Sequence, residues 1–481
     1  MNNTGAKHAV IKVWSGNLVI LFAYLFGTLK ISLYSDDYSS IIFTSETSDH
    51  ALRDLRPGQS VMVNLGFSTI VNDPQNIWKL KCLSLLGLLV LYNVVVTRID
   101  QSKRSWFIAL GTAVGFCITP FQMYVHWATC WYFTWVAVFG IYAYDLYRKR
   151  GWHNKTVGVI ILMVCISTYP ITAYLFVSFL AVISLINQFD TKLIFKEVII
   201  QIWFAIQATL VSIFCGLLVL EVKNLESSSR IGLITVEEIP GKLFWIVSRP
   251  IVIGLRPFQV SSPSSFGALL SVIPWILLLT LYVLFVNRRA DQAKLDKFSL
   301  LVLIVAISLA PLVVTPNNQF EFRLISGYSW MVVVIIFMAV EKLSLSVRYL
   351  KLPGYFIAFT IVVIAVATTN LNYTKFFLNP YTGKTLFLSQ ALSNCQKAGK
   401  TESVVILRPT SNFPSRPNLG LLSQSTDLMS DWVPVANVKL VGRSMGINLR
   451  EVTYLASETS LDGTNCQIDL EDYRQSILSN L

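Results

Sequence analysis

Charged residues are scarce in this chain. Asp, Glu, Lys and Arg make up 14% of its 481 residues, against roughly 25% in an ordinary soluble domain. That deficit argues against a globule surrounded by water. Histidine is almost missing too. His8, His50, His126 and His153 are scattered and make no metal-ligand spacing. No histidine follows His153, and this removes the triad that "GRSMG" at 442–446 would otherwise invite. A G-x-S-x-G elbow needs a later His, so Ser444 reads as part of a Gly-rich turn. A phosphate-binding loop is lacking as well. "GKT" occurs at 383–385 and 399–401 without the upstream Gly, and Asn394 stands in its place before the second. Nucleotide chemistry therefore has no support. No small-residue cleavage site follows the first apolar run, which reads as an uncleaved span.

What is present is apolar. Hydrophobic residues reach 54%, and a spanning helix needs about 20 of them in a row. Apolar runs recur at 13–33, 79–97, 106–122, 127–146, 156–170, 171–187, 198–220, 266–286, 298–314, 324–340 and 353–370. The expected fold is an all-α polytopic membrane protein with about 11 transmembrane helices. The net charge of +12 is not spread evenly. It collects in short loops: Arg98, Lys103 and Arg104; Arg148, Lys149, Arg150 and Lys155; Arg288, Arg289, Lys294 and Lys297; Lys342, Arg348 and Lys351. The loops between them carry few basic residues, which is the positive-inside pattern. It places the N-terminus in the cytoplasm. An odd number of spans then leaves the C-terminus outside.

The chain divides on this map into a membrane domain, 1–370, with long outer loops at 34–78 and 221–263, and an outer domain, 371–481. "KLFWIVSRPIVIGL" at 242–255 is apolar but broken at Arg249-Pro250. It reads as interfacial or re-entrant, since a span there would put "NRRADQAK" outside. The tail is expected to be a small α/β unit, with a helix over 383–397 and strands at 403–407 and 451–456. Cys82, Cys117, Cys130, Cys165 and Cys215 lie in apolar runs, whereas Cys395 and Cys466 fall alone in the tail. Two cysteines in an oxidising compartment point to a disulfide.

"LYSDDYSS" at 33–40 places Asp36 and Asp37 just beyond the first span. Acids at a helix C-terminus face the negative end of its dipole, and adjacent carboxylates oppose each other's ionisation. One of the two could hold a raised pKa and act as a general base, while the other orients it. Solvated loop acids or a helix cap are the plainer alternatives. The outer side also carries Arg56, Arg249, Arg256 and Arg323, the last beside Glu321. Arginine there can be a snorkelling anchor or a two-pronged grip on phosphate. A base together with phosphate-binding arginines fits transfer of a group from a lipid phosphate to a hydroxyl.

With these residues in place, the chain resembles the bacterial serotype-converting O-antigen glucosyltransferases, a GT-C family of membrane glycosyltransferases. The resemblance rests on "SDDY" at 35–38, "LRPGQSVMVNLGF" at 55–67, "TPFQMYVHWAT" at 119–129, "STYPITAYLF" at 167–176 and "FRLISGY" at 322–328. It implies a GT-C-like membrane domain with a periplasmic α/β tail in the bacterial inner membrane. It implies transfer of a sugar, glucose in that family, from polyprenyl phosphate to O-antigen in the periplasm by one inverting displacement. Asp36 and Asp37 would then be catalytic. Arg56, Arg256 and Arg323 would bind the donor phosphate, and Glu321, Tyr38 and Tyr169 would contact acceptor or sugar. The lipid-linked sugar is a co-substrate, no cofactor is implied, and a divalent metal is left open. The competing readings are an O-antigen polymerase and a transporter or flippase of lipid-linked sugar.

Overall fold

The computed structural model describes residues 3–34, 36–71, 73–187, 191–228, 235–255, 325–346, 351–400, 403–408, 432–455 and 466–479. Among them the chain is mostly helical. A helix satisfies its own backbone groups, which is what a segment surrounded by hydrocarbon requires. Four stretches are long and apolar enough to cross a membrane: Val10–Leu29, Pro74–Thr97, Lys192–Lys223 and Gly354–Lys397. Trp106–Gly115 and Thr119–His126, bent by 58° at their junction, make a fifth if they count as one broken span.

Eleven spans is therefore not what the described residues show. The runs at 127–146, 156–170 and 171–187 become helices of 16, 17 and 12 residues, Phe133–Arg148, Trp152–Thr168 and Leu175–Ile186. At 1.5 Å per residue the longest of these reaches about 25 Å, short of the roughly 30 Å of a bilayer core. Extended backbone at Trp127 and Tyr169 is what cuts the runs apart. Apolar composition reads the same for a short buried helix as for a span, and Phe133, Ile141, Phe176 and Phe179 are buried against protein. The run at 324–340 lies on Ser326–Ser346, buried from Ile325 to Val340. The runs at 266–286 and 298–314 lie outside the described residues. Residues 242–255 form Ile239–Ile246, a wide turn through Pro250 and the short Val252–Gly254, a broken segment and not a spanning helix.

The last long helix does not stop at residue 370. Lys351–Asn372 continues through a wide turn, Tyr373–Leu378, into Asn379–Lys397, and the tail is built on that extension. Among the described residues the tail holds three parallel strands in the order β2-β1-β3, with β1 Ser403–Leu407, β2 Glu451–Leu455 and β3 Cys466–Asp469. Parallel neighbours need a crossover, and the helix Trp432–Ser444 lies on the path from β1 to β2. Leu388, Leu392, Val404, Ile406, Val441, Ile468 and Tyr473 make a core of their own. Ser444 sits in the last turn of its helix, donating to the Val441 carbonyl. Gly446 follows at φ +71. That is a helix C-terminus, not the strand-to-helix elbow of a hydrolase.

Cys395 and Cys466 form a disulfide that ties the Asn379–Lys397 helix to β3 across 71 residues. Closing a loop of that size stabilises by about 4 kcal/mol in the chain-entropy picture. The Cys395→Ser, Cys466→Ser double variant should therefore expose the tail to limited proteolysis under conditions where the oxidised protein resists. Equal cleavage rates would show that the bond adds no such constraint.

Candidate functional site

The acid pair opens the helix Asp36–Ile42, and its two members sit in different surroundings. Asp37 is fully buried. One of its carboxylate oxygens accepts the Thr129 amide and hydroxyl, both at 2.7 Å. The other accepts the Tyr34 amide at 2.9 Å and the Ala128 amide at 3.3 Å. The Asp37 amide in turn donates to the Tyr34 carbonyl, so the residue reaches back and fastens the start of its own helix. Asp36 is only partly buried. The two carboxylates thus divide: Asp37 is held by four donors, and Asp36 keeps access to the surface.

Burial pushes the Asp37 carboxyl up to about 6, and the Thr129 and Tyr34 donors with the nearby Lys81 ammonium hold it from rising further. Its folded pKa lies above the unfolded 3.8. Between roughly pH 6 and pH 4 the folded chain takes up a proton that the unfolded chain does not. This group's contribution to stability is thus full below the unfolded value and is lost as pH rises through the folded one. We expect Asp37→Asn to flatten that part of the stability profile, measured as thermal unfolding in detergent at pH 4, 5, 6 and 7. A variant slope equal to that of the parent would assign the slope to other groups.

Lys81 was not anticipated from the sequence. It lies fully buried on Ile77–Thr97 and donates to the Ser32 hydroxyl at 2.6 Å and the Lys30 carbonyl at 3.2 Å. It braces the 30–34 segment that leads into the acids. The available signal was Lys81, the second of two lysines in "WKLKCLSLLGLLV" and the one deeper in the apolar run, since a charge at membrane depth is functional by default.

A second cluster brings together Arg56 and Tyr169. The Arg56 guanidinium stands 5.6 Å from the centre of the Tyr169 ring. The Asp54 carboxylate is 3.9 Å away and the Gln59 amide oxygen accepts from it at 3.4 Å. Gly58 makes this approach possible, because a Cβ there would fall 2.4 Å from the Thr168 hydroxyl. Two motifs far apart in the chain, "LRPGQ" and "STYP", meet here.

The segment Trp127–Phe133 connects the clusters. Its Ala128 and Thr129 amides hold Asp37, and its Phe133 ring stacks on Tyr169 at 3.9 Å. The tail covers the other side of the acid helix. Lys384 lies 5.1 Å over the Tyr38 ring and Lys439 lies 4.8 Å over Phe43. Tyr38 is thereby buried where the acid helix meets the tail. Arg256, Glu321 and Arg323 lie outside the described residues. Among the described residues, no group of three His, Cys, Asp or Glu could hold a metal ion. Neither protein-family models nor curated proteins give a match to this chain.

Proposed function

We propose that the protein is a membrane glycosyltransferase that moves a sugar, glucose in the resembling family, from polyprenyl phosphate to O-antigen. The observation that carries this reading is the difference within the acid pair, one carboxylate fully buried among donors and its neighbour partly exposed. The acceptor hydroxyl oxygen attacks the anomeric carbon as Asp36 takes its proton. The bond from that carbon to the phosphate oxygen breaks, and polyprenyl phosphate leaves with inversion. In this reading Arg56 stabilises the phosphate as its charge grows, with Arg256 and Arg323 as further candidates. Because little covalent chemistry falls to the protein, much of the rate comes from aligning acceptor and donor.

The test is purified protein supplied with polyprenyl-phosphate sugar and O-antigen. Transfer of one sugar supports the reading. Growth in chain length points to a polymerase, and flux without product points to a flippase; either would overturn it.

The same reading places the protein in the bacterial inner membrane with the acids, the tail and the C-terminus in the periplasm. A periplasm-active reporter fused after Leu481 should be active and one fused after Arg150 silent. The reverse pattern would put the acids on the cytoplasmic side, away from any flipped donor.

A further inference from the structure

A cavity of about 540 Å³ lies apart from the acids. The helix Phe133–Arg148 ends and Trp152–Thr168 begins in a turn of three residues, whose reversal rests on Gly151 at φ +104. The turn faces the first part of Thr191–Lys223. One wall of the cavity is basic: Arg148, Lys149, Arg150 and Lys155. The other is apolar and includes Ile199 and Trp203.

The charges do not cancel. Arg148 pairs with Glu197 at 3.1 Å, and Tyr144 also donates to that carboxylate. The nearby Asp145 carboxylate is engaged by Arg98. Among the described residues, three positive charges, on Lys149, Arg150 and Lys155, remain over the one ion pair in the wall. The opposite wall is not an isolated apolar spot. Ile199 and Trp203 are 51% and 57% exposed, and the same helix continues with exposed Ile206, Leu210 and Phe214. A cationic mouth thus opens onto the apolar flank of a membrane-crossing helix.

We propose that this cavity binds the head group of an anionic phospholipid, with one acyl chain running along Ile199 and Trp203. Neither half of the site fits another class as well. A nucleic acid or acidic peptide would leave the apolar wall unused. A zwitterionic lipid would bring its own cation into the positive surplus. Basic pockets beside membrane helices select anionic lipids by the same electrostatics, worth about 1 kcal/mol per Lys or Arg near the surface.

Native mass spectrometry of the detergent-purified full chain tests this, with dioleoyl phosphatidylglycerol and dioleoyl phosphatidylcholine as probes. Phosphatidylglycerol should bind about tenfold more tightly or better. Lys149→Gln, Arg150→Gln and Lys155→Gln should each weaken it about fivefold, and all three side chains are exposed, so the fold survives. Trp203→Ala should weaken the lipid while leaving inorganic phosphate binding unchanged. Equal binding of the two lipids would overturn the proposal. So would undiminished phosphatidylglycerol binding in the triple variant, or full displacement of the lipid by an equal concentration of inorganic phosphate, which would make the site one for free phosphate. None of these outcomes depends on the sugar-transfer reading.

Discussion

Asp36→Asn is expected to lower sugar transfer by about a thousandfold, within the range that general-base catalysis supplies, while insertion and thermal stability stay at the parent level. Asparagine matches aspartate in shape and removes its basicity. Asp36 is partly exposed at the head of a short helix, so the change disturbs little packing. What it removes, on the proposed reading, is the destination for the acceptor hydroxyl's proton. Asp37→Asn should behave differently. Among the described residues that carboxylate accepts three backbone amides and the Thr129 hydroxyl, and an asparagine at this position turns an NH2 toward at least one of those amides, which cannot accept from it. An unsatisfied buried donor costs about 1–3 kcal/mol, so this variant should lose stability together with activity. The paired measurement is turnover beside the unfolding midpoint. Near-parent turnover in Asp36→Asn would end its role as the base.

The parts of this site that could be read from the sequence were those with an unusual local signal. Two acids after an apolar run stand out, and so does Arg56-Pro57 in the loop that follows. Their environments did not. Nothing in "SDDY" distinguishes Asp36 from Asp37, because the difference comes from Thr129, more than ninety residues away, and from Lys81. The meeting of Arg56 with Tyr169 is tertiary for the same reason. The spans were over-counted because hydropathy measures composition and not surroundings. Phe133–Arg148 is as apolar as a span, yet much of it faces other helices. In the tail, β1 announced itself through "SVVIL". The four residues of β3, "CQID", alternate apolar and polar but are too few to stand out, and parallel pairing with β1 fixes them as a strand.

Arg56→Lys is expected to reduce transfer about a hundredfold, in line with the loss of one preorganised donor at a developing charge. The surroundings of Arg56 are what separate this outcome from a neutral one. The residue before it, Leu55, sits at φ +58, a left-handed backbone that disfavours a branched side chain by about 1 kcal/mol or more. Its side chain is wedged against Gly216, whose Cβ position is 3.1 Å away. That turn aims the guanidinium at Tyr169, with Asp54 and Gln59 on its flank. Its side chain is one-third exposed, so it retains a face for a ligand. A planar fork in a fixed orientation is wasted on a membrane anchor, since lysine snorkels as well as arginine. It is needed for two parallel bonds to a phosphate, which lysine cannot make. If the fork serves the donor phosphate, Arg56→Lys should lose turnover with polyprenyl-phosphate sugar while its unfolding midpoint stays close to the parent's. Tyr169→Phe should keep most activity, because the ring under the guanidinium remains. Tyr169→Leu should approach the Arg56→Lys defect, because the cation loses the face that orients it. Full activity in Arg56→Lys would leave the guanidinium a structural role among Asp54, Gln59 and Tyr169, and the donor phosphate would have to be held by other residues.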